Sequence, residues 1–315
     1  MNGLAALRGR SFVSATDLDA ATLDGLFRRA LQLKSEIAVD GRHAAPPLAG
    51  RTVAMIFEKP SLRTRVTFET GMTQLGGHAV FLGPADIRLG QREAVADVAA
   101  NLGRWVDGIV ARTFSHAVIE ELAANAGVPV VNALSDHEHP CQALGDFLTM
   151  LEHRGRLAGL QLVFVGDGNN VWHSLALMGA ILGVHVRLAC PPGFEGDAAV
   201  RERAEALAAT SHGRVEVVHD PRSALAGADV VYTDVWSSMG QEEQAADRAA
   251  IFAPFQVNDA LLASAPADAV VMHCMPAHRG EEVTSEVLDG PRSIVLDQAE
   301  NRLHAQKALL EALIA

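Results

Sequence analysis

Residues 61–65 read Ser-Leu-Arg-Thr-Arg and follow a proline, in a chain of 315 residues with a formal net charge of −12. Ser61 is the type of residue that caps a helix, and the unpaired backbone N–H groups behind it, including those of Leu62 and Thr64, attract an anion together with the helix dipole. Arg63 adds a planar fork of donors that matches phosphate oxygens, and Thr64 adds a hydroxyl. Arg65 is two positions further on, faces another way on a helix and suits a structural ion pair. The competing reading is a helix start whose arginines are merely hydrated. The Walker glycines and lysine are missing, so a nucleoside triphosphate does not fit.

Four other stretches could do chemistry. In His139-Pro140-Cys141-Gln142, proline suits the first helical position and keeps its predecessor extended. A histidine at a helix N-terminus is biased toward neutral imidazole and could donate to a carbonyl; a plain capping loop is the alternative. Gln142, in the first turn, can donate or accept. Gly166-Asp167-Gly168-Asn169-Asn170 follows an apolar run, as a dinucleotide loop would, but Val171 stands at the third glycine position and no acidic residue closes the next strand. Asp234 ends another apolar run, where a carboxylate suits an α-ammonium group; Ser238 and the Met239 N–H can complete a grip on an amino acid. Cys274, in Val-Val-Met-His-Cys-Met-Pro, reads as a buried thiol, and no histidine or cysteine pairing has zinc spacing, so neither metal nor cofactor is expected.

These residues need a frame, and the apolar periodicity supplies one. Ten short β-rich runs alternate with stretches of helical period: TVAMIFE, HAVFLG, GIVART, VPVVNAL, QLVFVGD, HVRLAC, RVEVVHD, DVVYTD, AVVMHC and SIVLD. That alternation predicts α/β architecture, with two doubly wound parallel-sheet domains covered by helices on both faces. Thr16 and Asp17 signal the first helix, with Leu23, Leu26, Phe27, Ala30, Leu31 and Ile37 on its buried face. A long helix from His139 ends near residue 153, which puts the domains at 1–147 and 148–315. The last helix, about 299–315, is expected to return to the first domain.

Composition narrows the partners. The acidic balance argues against nucleic acid or an anionic membrane as the main partner. Three scattered cysteines are poor material for a disulfide framework and fit a reducing cytoplasm. The opening MNGLAALRGRSFVS is too short in apolar residues for a signal peptide, and the longest apolar stretch, 175–184, falls far below the roughly 20 residues of a membrane span.

Ser-x-Arg-Thr-Arg after a strand resembles the carbamoyl-phosphate motif of the transcarbamylases. Five more stretches resemble the ornithine branch of that family: HPCQ (139–142), GDGNN (166–170), DVWSSMGQE (234–242), HCMPAHRGEEV (273–283) and AENR (299–302). They occur in the family's order and span most of the chain. The resemblance implies two parallel-sheet α/β domains in trimers or multiples of trimers, with active sites at subunit interfaces, and transfer of a carbamoyl group from carbamoyl phosphate to L-ornithine. It implies that Ser61, Leu62, Arg63 and Thr64 grip phosphate, and that Arg112, ending GIVART, contacts both carbonyl and phosphate. By the same resemblance His139 and Arg302 hold the carbonyl oxygen, and Gln142 the carbamoyl nitrogen. Asn170 takes the α-carboxylate, Cys274 lies beside the δ-amine, and the Met275 carbonyl meets the carbamoyl nitrogen; the family usually has Leu at that position. Many relatives place Gln or His where this chain has Arg88, at a position that enters the neighbouring subunit's site. A transcarbamylase for putrescine or an acylated ornithine, and a non-catalytic binding protein, are the rival readings.

Overall fold

The computed structural model describes residues 4–237 and 245–315. It divides into two compact units, one of residues up to 148 with 300–315, the other of residues 149–299. The chain crosses from one unit to the other inside a helix both times.

The first unit contains α1 (Ala20–Asp40), β1 (Thr52–Phe57), α2 (Leu62–Gln74), β2 (His78–Leu82), α3 (Val95–Leu102), β3 (Gly108–Arg112), α4 (His116–Asn125), β4 (Val130–Leu134) and most of α5 (Pro140–Arg154). Its strands are all parallel, in the order β2-β1-β3-β4. β3 is buried along its whole length, as expected of a strand with helices on both faces. On one face Ile56, Ile109 and Ala111 pack with Val98, Ile119 and Leu122 of the covering helices. α1 starts later than Thr16 and Asp17 suggest. Asp17 turns back to accept from Val13 and Ser14 N–H at 2.7 and 2.9 Å, so the helix is capped by Asp19, which accepts from Thr22 N–H at 2.8 Å. Leu33 rather than Leu31 or Ile37 completes its buried face.

The second unit follows the same rule with β5 (Gln161–Val165), α6 (Asn170–Ile181), β6 (His185–Ala189), α7 (Ala198–Ser211), β7 (Arg214–Val218), α8 (Pro221–Ala224), β8 (Val230–Thr233), α9 (Ala245–Phe252), α10 (Asp259–Leu262), β9 (Val270–His273) and α11 (Ser285–Leu288). The strands are again parallel, in the order β7-β6-β5-β8-β9. The tenth apolar run, SIVLD, is not a strand of the sheet. Ser293 makes only an isolated bridge to Val271, and Val295 begins α12 (Val295–Ile314). Val295 is buried while Leu296 is 80% exposed, so the run divides between a bridge and a helix whose far face meets solvent.

Both sheets reverse their winding once, between β1 and β3 in the first unit and between β5 and β8 in the second. The crevice outside the carboxyl ends of strands at such a reversal is where open α/β sheets bind ligands. β1 leads to Ser61 and β3 ends at Arg112; β5 leads to the Gly166 turn and β8 ends one residue before Asp234. No described helix is long and apolar enough to cross a membrane.

Candidate active site

The cluster of the first unit stands on β1, α2, β3, α5 and α12. Ser61 caps α2 in an extended conformation, with its side chain accepting from Thr64 N–H at 3.3 Å. Thr64 is buried, Arg63 half-buried and Leu62 exposed, so only part of this first turn is covered. Arg65 points away, donating to Glu69 at 2.9 Å and lying 3.7 Å above the Phe81 ring. Arg112 pairs in register with Phe57, its carbonyl accepting from Glu58 N–H at 2.9 Å, and its side chain is buried.

Arg302 reaches this place from α12. It is 2% exposed, its Nη1 donates to Gln142 Oε1, and its Nη2 lies 3.3 Å from Thr64 Oγ1. Gly145 makes room for it, since a Cβ there would come within 2.9 Å of Arg302 Cδ. Gln142 in turn donates from Nε2 to Asp146 at 2.8 Å. His139, just before α5, is buried, and burial pushes its pKa well below 6.5; the charges of Arg302, Arg112 and Arg63 push it further the same way. The imidazole is therefore neutral at pH 7 and can donate a hydrogen bond without adding charge. Three guanidinium groups act on one imidazole, a field suited to an anion carrying more than one charge. Next to it, burial pushes the Cys141 thiol up to about 12, which leaves it unreactive.

The cluster of the second unit stands on the ends of β5, β8 and β9. Asp234 is the centre of a donor cluster: Oδ1 accepts from Cys274 Sγ at 2.9 Å and from Val235 N–H at 2.8 Å, and Oδ2 accepts from Asn169 Nδ2 at 2.7 Å. Asn169 also caps α6, with Oδ1 accepting from Val171 and Trp172 N–H at 3.0 and 3.1 Å. Its neighbour Asn170 is the first residue of α6 and is half-buried. Ser238 and Met239 lie outside the described residues. Just before them, Trp236 O accepts from Arg248 Nε at 2.5 Å, and Arg248 Nη2 pairs with Asp167. Burial raises the Asp167 pKa, against the opposing pull of Arg248. Of the asparagine pair in GDGNN the sequence favours Asn170, because Asn169 before a helix reads as ordinary capping, and Arg248 reads as a hydrated helix-surface charge.

Cys274 and Met275 are fixed from behind. Met275 N–H donates to His273 Nδ1 at 2.8 Å, and His273 Nε2 lies 3.0 Å from buried Glu282 Oε1. Met275 sits in the left-handed region at φ 59°, away from the extended backbone of the strand before it. Asp234, His273 and Cys274 offer ligand atoms within 4.8 Å of one another, as do His278, Glu281 and Glu282. In the first group both His273 nitrogens already have protein partners. The glycine turn serves packing: a Cβ on Gly168 would lie 2.4 Å from Gly196 N, so its glycine is accounted for without a pyrophosphate.

Arg88 is exposed, on a loop that with Leu82, Ile87, Arg92 and Trp105 lines a cavity of about 290 Å³. Within the chain it is not brought to the arginine and histidine cluster.

Family models match both parts of the chain. The carbamoyl-P binding domain of aspartate/ornithine carbamoyltransferase matches residues 10–152, and the Asp/Orn binding domain matches residues 158–313. The chain belongs to the aspartate/ornithine carbamoyltransferase family. Among its relatives, an ornithine carbamoyltransferase of Anoxybacillus flavithermus is 51% identical over 308 residues, 98% of each protein. Another, of Thermococcus kodakarensis, is 51% identical over 304 residues, 96% of each. The solved ornithine carbamoyltransferase of Pyrococcus furiosus has a TM-score of 0.95 at 50% identity, covering 98% of both chains.

Proposed function

We infer that the chain transfers the carbamoyl group of carbamoyl phosphate to the δ-amine of L-ornithine, giving L-citrulline and phosphate. The observation that carries this reading is buried His139 in the combined field of Arg63, Arg112 and Arg302, with Arg302 Nη1 on Gln142 Oε1 and its Nη2 3.3 Å from Thr64 Oγ1. A phosphate with an adjoining carbonyl fits such a group: guanidinium forks take the phosphate oxygens while imidazole and Arg302 polarise the carbonyl.

In this reading the α2 N-terminus, with Ser61, Leu62, Arg63 and Thr64, binds phosphate, and Arg112 spans phosphate and carbonyl. Asp234 takes the α-ammonium and Asn170 the α-carboxylate, with Ser238 and Met239 completing the grip. Cys274 lies beside the δ-nitrogen, and Gln142 and the Met275 carbonyl orient the carbamoyl nitrogen. The neutral δ-nitrogen attacks the carbamoyl carbon, a tetrahedral oxyanion forms among His139, Thr64 and Arg302, and the C–O bond to phosphate breaks. Positioning and electrostatics supply the acceleration, and no cofactor is called for. Two protons leave the nitrogen: one is lost to solvent before attack, since a lysine-like amine with a pKa of about 10.4 is neutral in only about one molecule in 2,500 at pH 7, and the second passes from the attacking nitrogen to the departing phosphate.

The reading extends to a cytoplasmic enzyme of arginine biosynthesis, assembled as a trimer or a multiple of trimers in which Arg88 enters a neighbouring site. Trp105, 73% exposed, lines one cavity with Leu82, Ile87, Val98 and Leu102 beside Arg88, an apolar group of the kind an assembled state would cover. Citrulline formation, compared for ornithine, putrescine and N-acetylornithine, tests the function. Turnover with ornithine alone is expected; preference for either other amine, or no turnover at all, would overturn it.

A further inference from the structure

Asp146 lies one helical turn beyond Gln142 on α5 and is fully buried. Its Oδ1 accepts from Gln142 Nε2 at 2.8 Å, and Gln142 Oε1 accepts from Arg302 Nη1. The other arm of the Arg302 fork meets Thr64 Oγ1 at 3.3 Å. With the Gln306 amide turned so that its oxygen faces the guanidinium, it also meets Gln306 at 2.9 Å.

A primary amide has nearly the same shape either way round, so only its partners distinguish oxygen from nitrogen. Arginine offers donors alone and an ionised carboxylate offers acceptors alone. Arg302 and Asp146, on opposite ends of Gln142, therefore allow one orientation. Turning the amide would set N–H against guanidinium and C=O against carboxylate, losing both bonds among three buried side chains.

We propose that Asp146 is a positioning residue for carbamoyl transfer, which acts through Gln142 to fix the Arg302 guanidinium and the end of Gln142 that faces the carbamoyl group. This rests on the reading of Arg302 as the group that polarises the carbonyl. Asp146→Asn nearly preserves shape but offers both donor and acceptor, so the amide is no longer held one way round.

A double-mutant cycle over Asp146→Asn and Gln142→Ala, read as kcat, carbamoyl-phosphate KM and Tm, tests the proposal. Misplacement of a catalytic group by about 1 Å can cost two orders of magnitude. Asp146→Asn is expected to lower kcat about tenfold or more with KM within about twofold, because the phosphate grip on α2 is untouched. In the Gln142→Ala background the same change is expected to alter kcat by less than about twofold. Equal losses in both backgrounds would overturn the proposal, as would unchanged kcat in Asp146→Asn while Gln142→Ala is impaired. If Asp146→Asn does not fold, Asp146→Glu, which keeps the charge but displaces the carboxylate, enters the same cycle under the same criteria. Normal kcat in Arg302→Lys would show instead that the underlying reading has failed, and the proposal with it.

Discussion

Cys274 Sγ donates to Asp234 Oδ1 across 2.9 Å, joining the ends of the adjacent parallel strands β9 and β8. The thiol therefore does not stand alone at the strand ends. It shares one carboxylate with Asn169 and Val235 N–H, and any ligand that takes the sulfur disturbs the charge expected to hold the α-ammonium.

Zinc, a soft acceptor of thiolate, should exploit that arrangement. We expect Zn²⁺ to inhibit competitively with ornithine and to leave carbamoyl-phosphate KM nearly unchanged, with Cys274→Ala resistant. Equal zinc sensitivity in the variant would place the inhibitory site elsewhere.

Arg63→Lys tests the phosphate grip. An ammonium keeps the charge but cannot form two parallel N–H bonds to phosphate. Losing one charge-assisted bond costs about 1.5–3 kcal/mol, or roughly 10- to 150-fold in kcat/KM for carbamoyl phosphate. Near-normal kinetics would remove Arg63 from that role.

His139 should mark itself in stability as well as in activity. Its folded pKa lies well below 6.5, chiefly through burial, so below that pH the unfolded chain is the better proton binder. Above pH 6.5 the two states bind equally and the effect vanishes; as pH falls below 6.5 it destabilises, by up to about 1.4 kcal/mol per pH unit for one group. Unfolding free energies measured from pH 4.5 to 7.5 should therefore fall more steeply for the native protein than for His139→Asn. Parallel curves would mean that the folded imidazole accepts a proton.

Arg88→Gln examines the proposed contact across subunits. A full charge near a dianionic phosphate is screened by salt, whereas an amide is affected far less. The variant should raise carbamoyl-phosphate KM and flatten its dependence on ionic strength. Arg88→Ala chains mixed with Arg63→Ala chains should regain activity in hybrid assemblies. Proven hybrids without activity would return Arg88 to the hydrated surface.

Much of this architecture is legible before any coordinates. Nine of the ten apolar runs are strands, because short Val- and Ile-rich segments with helical stretches between them have few other ways to be buried. SIVLD fails because a run of that length fits a helix entrance equally well, and its neighbours decide. Within the site, Ser61 and Arg63 are visible as a local pattern of cap and fork. Asp146 and Gln306 are not, since their importance passes through Arg302, which meets Gln142 from 160 positions away. Arg248 is hidden for a related reason: only the fold shows that this charged residue of α9 is 8% exposed and paired with Asp167.

The discontinuity of the first unit has a consequence for how the protein is made. Residues 149–299 form one uninterrupted stretch, whereas the first unit must regain residues 300–315. At about 5–20 residues per second, a ribosome needs roughly 8–30 s to synthesise the intervening segment. Throughout that interval the first sheet is available without α12, whose Leu309, Leu310 and Leu313 are buried in the finished protein. The nascent chain thus carries an uncovered apolar surface that a chaperone could shield. Arg302 arrives on the same late helix, so a ribosome-bound chain would lack the guanidinium proposed to polarise the carbonyl until that helix has been made.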